Sequence, residues 1–212
     1  MLNQDFSIIA ITDFSRFNDT NSYLKHYSTL AAHPAITRVM LREPGMDMFQ
    51  YMEILEALSP HSKKVLVHSK NVTTLPQLEF ILEAGLASGI HWTSQAPLGS
   101  ELLSWGEHSR SCHSAQEARQ LLSIAKGLDW ITLSPIFHTK KPYSSVPLGS
   151  TEFDTLPPAL LKRTVALGGI SCETLPRLAS FRYLKGIACI GALASSDWEN
   201  LVDLSMELFC QM

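Results

Sequence analysis

Glycines and cations mark out the chemistry this sequence can perform. Gly168-Gly169 ends the apolar run Thr164–Leu167, and Gly191-Ala192 ends the run Ile187–Ile190. Glycine lets backbone N–H groups approach anionic oxygens closely, so two such ends brought side by side, with a short helix N-terminus, form a phosphate site. The plainer reading of Gly168-Gly169 is a tight turn between a strand and a helix. Upstream lies Ser134–Ser150, SPIFHTKKPYSSVPLGS, which is long for a connection and rich in hydroxyls. Its Thr139, Lys140, Lys141 and Ser144 can wrap an anionic leaving group; a solvated surface loop is the alternative. Other ionisable residues close further apolar runs: Asp13, Arg42-Glu43, His68-Ser69-Lys70, His91 and His113. Here too plainer roles exist. Asp13 can cap the turn into the first helix, His113 can be a polar turn residue before Ser114, and His91 sits between apolar neighbours like a satisfied core histidine.

The elements that must position these residues alternate along the chain. Eight strand-like runs recur: Ser7–Thr12, Ile36–Leu41, Lys64–His68, Gly89–Trp92, Ser109–His113, Trp130–Leu133, Thr164–Leu167 and Ile187–Ile190. The Ser109 run is poor in strand-forming residues, and its assignment rests on the helix start behind it. Asp47-Met-Phe-Gln50, Thr74-Leu-Pro-Gln77 and Ser114-Ala-Gln-Glu117 are capping-box patterns followed by apolar residues at helical spacing. Ser171, with Leu175, Leu178 and Ala179, predicts a seventh helix, and Ser195 or Ser196 predicts the last. Strand and helix in strict alternation imply a parallel sheet with right-handed crossovers. Eight units, with no Gly-x-Gly-x-x-Gly after the first strand, predict an α/β protein whose residues 1–212 form a single-domain (βα)8 barrel. Chemistry then belongs at the C-terminal strand ends, where the residues above stand.

Composition sets the surroundings. The chain has 212 residues, 45% hydrophobic and 17% charged, with a formal net charge of −3. That balance predicts a globule, and without a general basic field nucleic-acid binding is not expected. No apolar run reaches the ~20 residues of a membrane helix, and the N-terminus has no signal-peptide pattern. The four cysteines show no metal spacing and read as buried, reduced thiols, which points to the cytoplasm. The oligomeric state is open, and a homo-oligomer is compatible with everything above.

Several of these segments resemble one family in the correct order. SPIFHTKK, followed by PLG and VALGGI, resembles the GPIFPT…TK…G…IGGI signature of thiamine-phosphate synthases and their TenI-type relatives. IIAITD is similar to that family's opening strand, VMLREP to its LREK, GIHW to its GVHL, and SRSCHSAQEA to its GVSTHTxEEA. The resemblance implies a barrel that joins an aminopyrimidine-methyl diphosphate to a hydroxyethylthiazole phosphate, releasing pyrophosphate. It assigns Arg42 and Lys140 or Lys141 to the pyrophosphate, and Ser111 and Thr139 to the matching serine and threonine. It sets Gly169, Gly191 and Ala192 on the thiazole phosphate, to which the glycine-turn reading adds Gly168; His68, if protonated, adds a cation.

The departures from the family pattern are equally specific. Pro44 stands where the LREK lysine would be. Ser69 and Ala96 stand where the family's Mg²⁺-binding aspartates would be, so Mg²⁺ loses its carboxylate ligands and no metal-binding residue is assigned. The TenI-type tautomerases carry an essential histidine where this chain has Ser134-Pro135. Three roles follow from the resemblance: a synthase; a thiazole phosphate tautomerase using His113 or His138 as acid–base; and a non-catalytic binder of thiamine precursors.

Overall fold

A computed structural model of the chain describes residues 6–96, 106–124, 127–139 and 146–210. Eight parallel strands close a barrel in sequence order: β1 (Ser7–Ile11), β2 (Ile36–Leu41), β3 (Val65–His68), β4 (Gly89–Trp92), β5 (Glu107–Cys112), β6 (Trp130–Leu133), β7 (Thr164–Leu167) and β8 (Gly186–Cys189). β1 pairs with β8 through Ile9 and Ala188, which removes every sheet edge. The (βα)8 expectation therefore holds. The α-helices are α1 (Thr20–Ala32), α2 (Met48–Leu58), α3 (Leu75–Glu83), α4 (Ala115–Ile124), α5 (Pro158–Leu161) and α6 (Trp198–Cys210). No helix among the described residues is long and apolar enough to cross a membrane.

Strand residues alternate between two cores. Ile9, Ile11, Met40, Leu66, Trp130, Val165 and Ala188 fill the barrel interior. Their neighbours, including Ile8, Val39, Leu41, Val65 and Ile187, face outward into a larger core shared with the helices. This two-sided burial explains why β3 and β6 are wholly buried and read as continuous apolar runs.

β5 begins at Glu107, two residues before the expected start. The Glu107 N–H donates to the Ser88 carbonyl at 2.9 Å, and the His108 N–H to the Asp129 carboxylate at 2.7 Å. Its composition is weak because its inward residues, Glu107, Ser109 and Ser111, are polar.

The caps expected from the sequence are present. Asp47 accepts the Gln50 N–H at 3.0 Å, and Ser114 accepts the Glu117 N–H at 3.0 Å. The Glu117 carboxylate in turn accepts the His113 N–H at 2.7 Å. α1 is capped by Asp19, which takes the Ser22 N–H at 2.7 Å, so Asp13 is not its cap.

The seventh helix is a correction: only a 3-10 turn, Leu175–Leu178, forms there. Pro176 removes a donor, and the Thr174 hydroxyl donates to the Gly169 carbonyl at 2.9 Å while taking the Ser171 N–H at 2.9 Å. Those local bonds compete with a helical ladder. The last helix starts at Trp198, just beyond the expected serines. The cysteines also divide. Cys112 and Cys189 are buried, with burial pushing each thiol up to about 12, whereas Cys172 is exposed.

Candidate functional site

The C-terminal strand ends bring together a neutral polar layer, a cation and two glycine turns. On β3 and β4, the His68 and His91 rings lie 5.5 Å apart, and the His91 ring stacks on Trp130 at 5.6 Å. His91 is held at both nitrogens: Nδ1 lies 2.8 Å from the Ser109 hydroxyl and Nε2 lies 2.9 Å from the Ser111 hydroxyl. A neutral imidazole has one donor and one acceptor, so one serine donates to the ring and the other accepts. This is the satisfied core histidine of the plainer reading. His68 Nδ1 accepts the Lys70 N–H at 3.0 Å, which leaves the ring proton on Nε2.

Burial first, then neighbouring positive charge, keeps both rings uncharged. Desolvation, His91, Arg42 and Lys70 lower His68 to about 2, and desolvation with Arg42 lowers His91 to about 3. The expectation that His68 supplies a cation is therefore corrected: it offers a neutral N–H. The charge at this layer comes from half-buried Arg42, whose backbone N–H donates to the Thr12 hydroxyl at 3.0 Å. The Ser111 side of the layer continues onto β6, where the register partner of Ser111 is Thr132. The Thr132 hydroxyl is buried without a hydrogen-bond partner among the described residues.

The carboxylates nearby are committed to the fold. Glu43 is buried; its Oε1 accepts the Tyr23 hydroxyl at 2.8 Å and its Oε2 the Phe14 N–H at 2.9 Å. Burial and Glu43 together raise the Tyr23 phenol well above its usual range. Asp13 accepts the Ser15 hydroxyl at 2.6 Å and the Arg16 guanidinium at 3.2 Å, as a turn residue does.

At the two positions where the family places metal-binding aspartates, Ser69 takes the Thr93 N–H at 2.9 Å and Ala96 presents a methyl group. These groups do not fit Mg²⁺, which requires hard anionic oxygens.

β7 and β8 carry the glycine turns. Gly168 and Gly169 both have positive φ, 100° and 67°. A Cβ on Gly168 would lie 2.8 Å from Pro135 Cα, and one on Gly169 would overlap the His138 carbonyl oxygen. The start of the β6–β7 connection lies on this turn. The Ile136 N–H donates to the Leu167 carbonyl at 2.9 Å and the Phe137 N–H to the Gly168 carbonyl at 3.0 Å. Arg177 covers the buried Phe137 ring at 4.8 Å. The described part of the connection is thus anchored.

After β8, the Ala194 N–H donates to the Ile190 carbonyl at 3.1 Å and closes a single helical turn. The N–H groups of Gly191, Ala192 and Leu193, first donors of that turn, have no partner among the described residues. The guanidinium of Arg16 lies over Gly191, 3.1 Å from where a Cβ would stand.

Of the residues expected from the sequence, Arg42, Ser111 and His68 lie on the polar layer, and Gly168, Gly169, Gly191 and Ala192 form the glycine turns. Thr139 is exposed at the start of the long connection. Lys140 and Lys141 lie outside the described residues. His113 is exposed, with Nδ1 3.0 Å from the Ser134 carbonyl. Arg16 and Thr132 escaped the sequence reading. Arg16 carried one signal, its i, i+3 spacing from Asp13; Thr132 carried none, since it sits within an ordinary strand.

The family model of thiamine monophosphate synthase matches residues 109–193, which run from β5 through the turn after β8. No curated protein sequence matches the chain. Among solved structures, thiamine phosphate pyrophosphorylase from Pyrococcus furiosus is similar at 16% identity, with 97% of this chain and 96% of that one covered and a TM-score of 0.71. The thiamine phosphate pyrophosphorylase of Bacteroides thetaiotaomicron gives 18% identity, coverage of 96% and 95%, and a TM-score of 0.61. A tryptophan synthase alpha-subunit from Pyrococcus furiosus gives 13%, full coverage of both chains and 0.65. At these identities the structures show a shared barrel and nothing finer.

Proposed function

We propose that this chain is a transferase of the thiamine-phosphate synthase type, a reading supported by the match of residues 109–193 to the family model of thiamine monophosphate synthase. Its substrates would be an aminopyrimidine-methyl diphosphate and a hydroxyethylthiazole phosphate. The observation that carries the proposal is the row of unpartnered N–H groups at Gly191, Ala192 and Leu193, set beneath Arg16 and next in the barrel to Gly168-Gly169. Backbone donors with a guanidinium suit a terminal phosphate, here that of the thiazole.

In the reaction, the methylene C–O bond breaks and its electron pair leaves with pyrophosphate. The thiazole nitrogen lone pair then forms the new C–N bond. Arg42 holds diphosphate oxygens through its planar fork, with Lys140 and Lys141 as further cations. The neutral layer below, His68 Nε2–H with Ser111, supplies uncharged hydrogen-bonding groups for a heteroaromatic ring and puts no extra positive charge beside a developing cation. No step is assigned to Mg²⁺, because Ser69 and Ala96 are not ligands for it. Incubation with both precursors tests the proposal: thiamine phosphate and pyrophosphate should form in equal amounts, and Arg42→Ala should abolish both. Absence of product from wild-type protein that binds both precursors would refute it.

His113 favours a second reading. The Ser134 carbonyl can only accept, so Nδ1 carries the proton and Nε2 presents a lone pair at the mouth. That is a base positioned for tautomer exchange on a thiazole phosphate. Exchange of the thiazole tautomers without pyrimidine substrate, lost in His113→Gln, would favour this isomerase role.

A further inference from the structure

The opposite, N-terminal end of the barrel holds a cavity of about 650 Å³, within the range of small-molecule sites. Its charged lining comprises Arg38, Lys162, Lys185, Glu107 and Asp129, and the Trp130 indole also faces it. Both carboxylates are already occupied. Glu107 takes Arg38 Nε at 2.8 Å and Nη2 at 2.5 Å on one oxygen, and the Trp130 indole N–H at 2.5 Å on the other. Asp129 takes the His108 N–H at 2.7 Å. Lys162 and Lys185, by contrast, have no ion-pair partner among the described residues. Lys162 lies 5.6 Å from the centroid of the Tyr183 ring. Three cations against two internally satisfied carboxylates leave the cavity electropositive, and a partly enclosed polar space strengthens that field.

We propose that this basal cavity binds a small oxyanion of charge −2, a phosphate or a dicarboxylate, through Lys162 and Lys185 beside Trp130. It is separate from the mouth. Along β2, inward positions pass from Arg38 through Met40 to Arg42, and the apolar interior of Met40, Leu66, Val165 and Ala188 lies between the two ends. The lysine stems carry compact ammonium groups on flexible chains, so they can close on a ligand without moving the Arg38–Glu107 pair.

Trp130 provides the readout. The full chain is titrated separately with inorganic phosphate and with succinate, followed by tryptophan fluorescence and calorimetry. At least one anion should bind and change the fluorescence of the wild type. The same change should persist in Gly191→Val, whose substitution lies at the mouth, and the affinity should fall at least tenfold when Lys162→Gln and Lys185→Gln are combined. Trp130→Phe should lose the optical change and keep the heat of binding. Phosphate alone, or succinate alone, would identify the oxyanion class. Because Lys162 is exposed, Lys185 is half-buried and neither has an ion-pair partner among the described residues, the double variant should keep its far-UV spectrum. Wild-type affinity in the folded double variant, or no response of the wild type to either anion, would overturn the proposal. A negative result at the mouth would not bear on it.

Discussion

The two buried histidines tie stability to pH, and the size of the effect follows from their positions. In the unfolded chain each imidazole protonates near 6.5. In the folded chain burial and Arg42 hold His68 near 2 and His91 near 3. Above pH 6.5 neither state binds the protons and the histidines contribute no pH dependence. As pH falls from 6.5 toward 3, the unfolded state gains two protons that the folded state refuses, so stability is lost. Each histidine costs about 1.4 kcal/mol per pH unit, and the pair therefore about 2.7. By pH 5 the loss reaches about 2 kcal/mol per ring, about 4 in all, against a total of roughly 5–15 kcal/mol for an ordinary domain. Urea unfolding of the wild type and of His91→Gln between pH 7.5 and 4.5 measures it. The Gln variant should show about half the histidine-dependent slope, with carboxylate contributions cancelling in the difference. Identical slopes, or NMR titration of either ring near 6.5 in the folded protein, would refute the reasoning.

Other outcomes follow from single contacts. Gly169→Ala should cost about 2–4 kcal/mol, since a left-handed alanine costs about 1–2 and displacing the His138 carbonyl adds a similar amount; Gly191→Ala, whose methyl first meets the end of the Arg16 side chain rather than backbone, should cost under about 1 in the same denaturation assay. Tyr23→Phe leaves Glu43 Oε1 without its hydroxyl donor and should lower stability by about 1–3 kcal/mol in urea, with no matching loss in Tyr23→Phe/Glu43→Gln. Arg42→Ala should weaken diphosphate binding, measured calorimetrically, more than Lys140→Ala or Lys141→Ala alone, because each lysine has a neighbour able to cover for it.

Most of the barrel was legible because parallel strands buried on both faces leave short apolar runs, such as VLVH and WITL, between capped helices. β5 was nearly invisible for the opposite reason: its interior residues form an ion pair and a hydroxyl network, and only the Ser114 cap behind it betrayed the strand. The missing seventh helix shows the limit of caps as signals. Thr174 caps locally whether or not a helix follows, and Pro176 decided the matter. At the site, glycine types located the turns of β7 and β8, because only backbone freedom explains paired glycines there. The charge state of His68 was not legible, since a strand-end residue looks the same whether it turns inward or outward. Arg16 was hidden for a related reason: its place over Gly191 depends on how the β1–α1 loop folds back across the mouth.

The central claim is that the mouth binds a phosphorylated thiazole on the N–H groups after β8. Calorimetric titration of hydroxyethylthiazole phosphate into wild type and Gly191→Val tests it most directly. The nearest atoms to a Cβ there belong to the Arg16 guanidinium, and Gly191 has no positive φ, so the fold should survive while the branched side chain displaces Arg16 and covers the donors. Loss of even one charge-assisted hydrogen bond, about 1.5–3 kcal/mol, weakens binding at least about tenfold. That loss, at an unchanged melting temperature, is the expected result. Equal affinity in the two proteins would contradict the account.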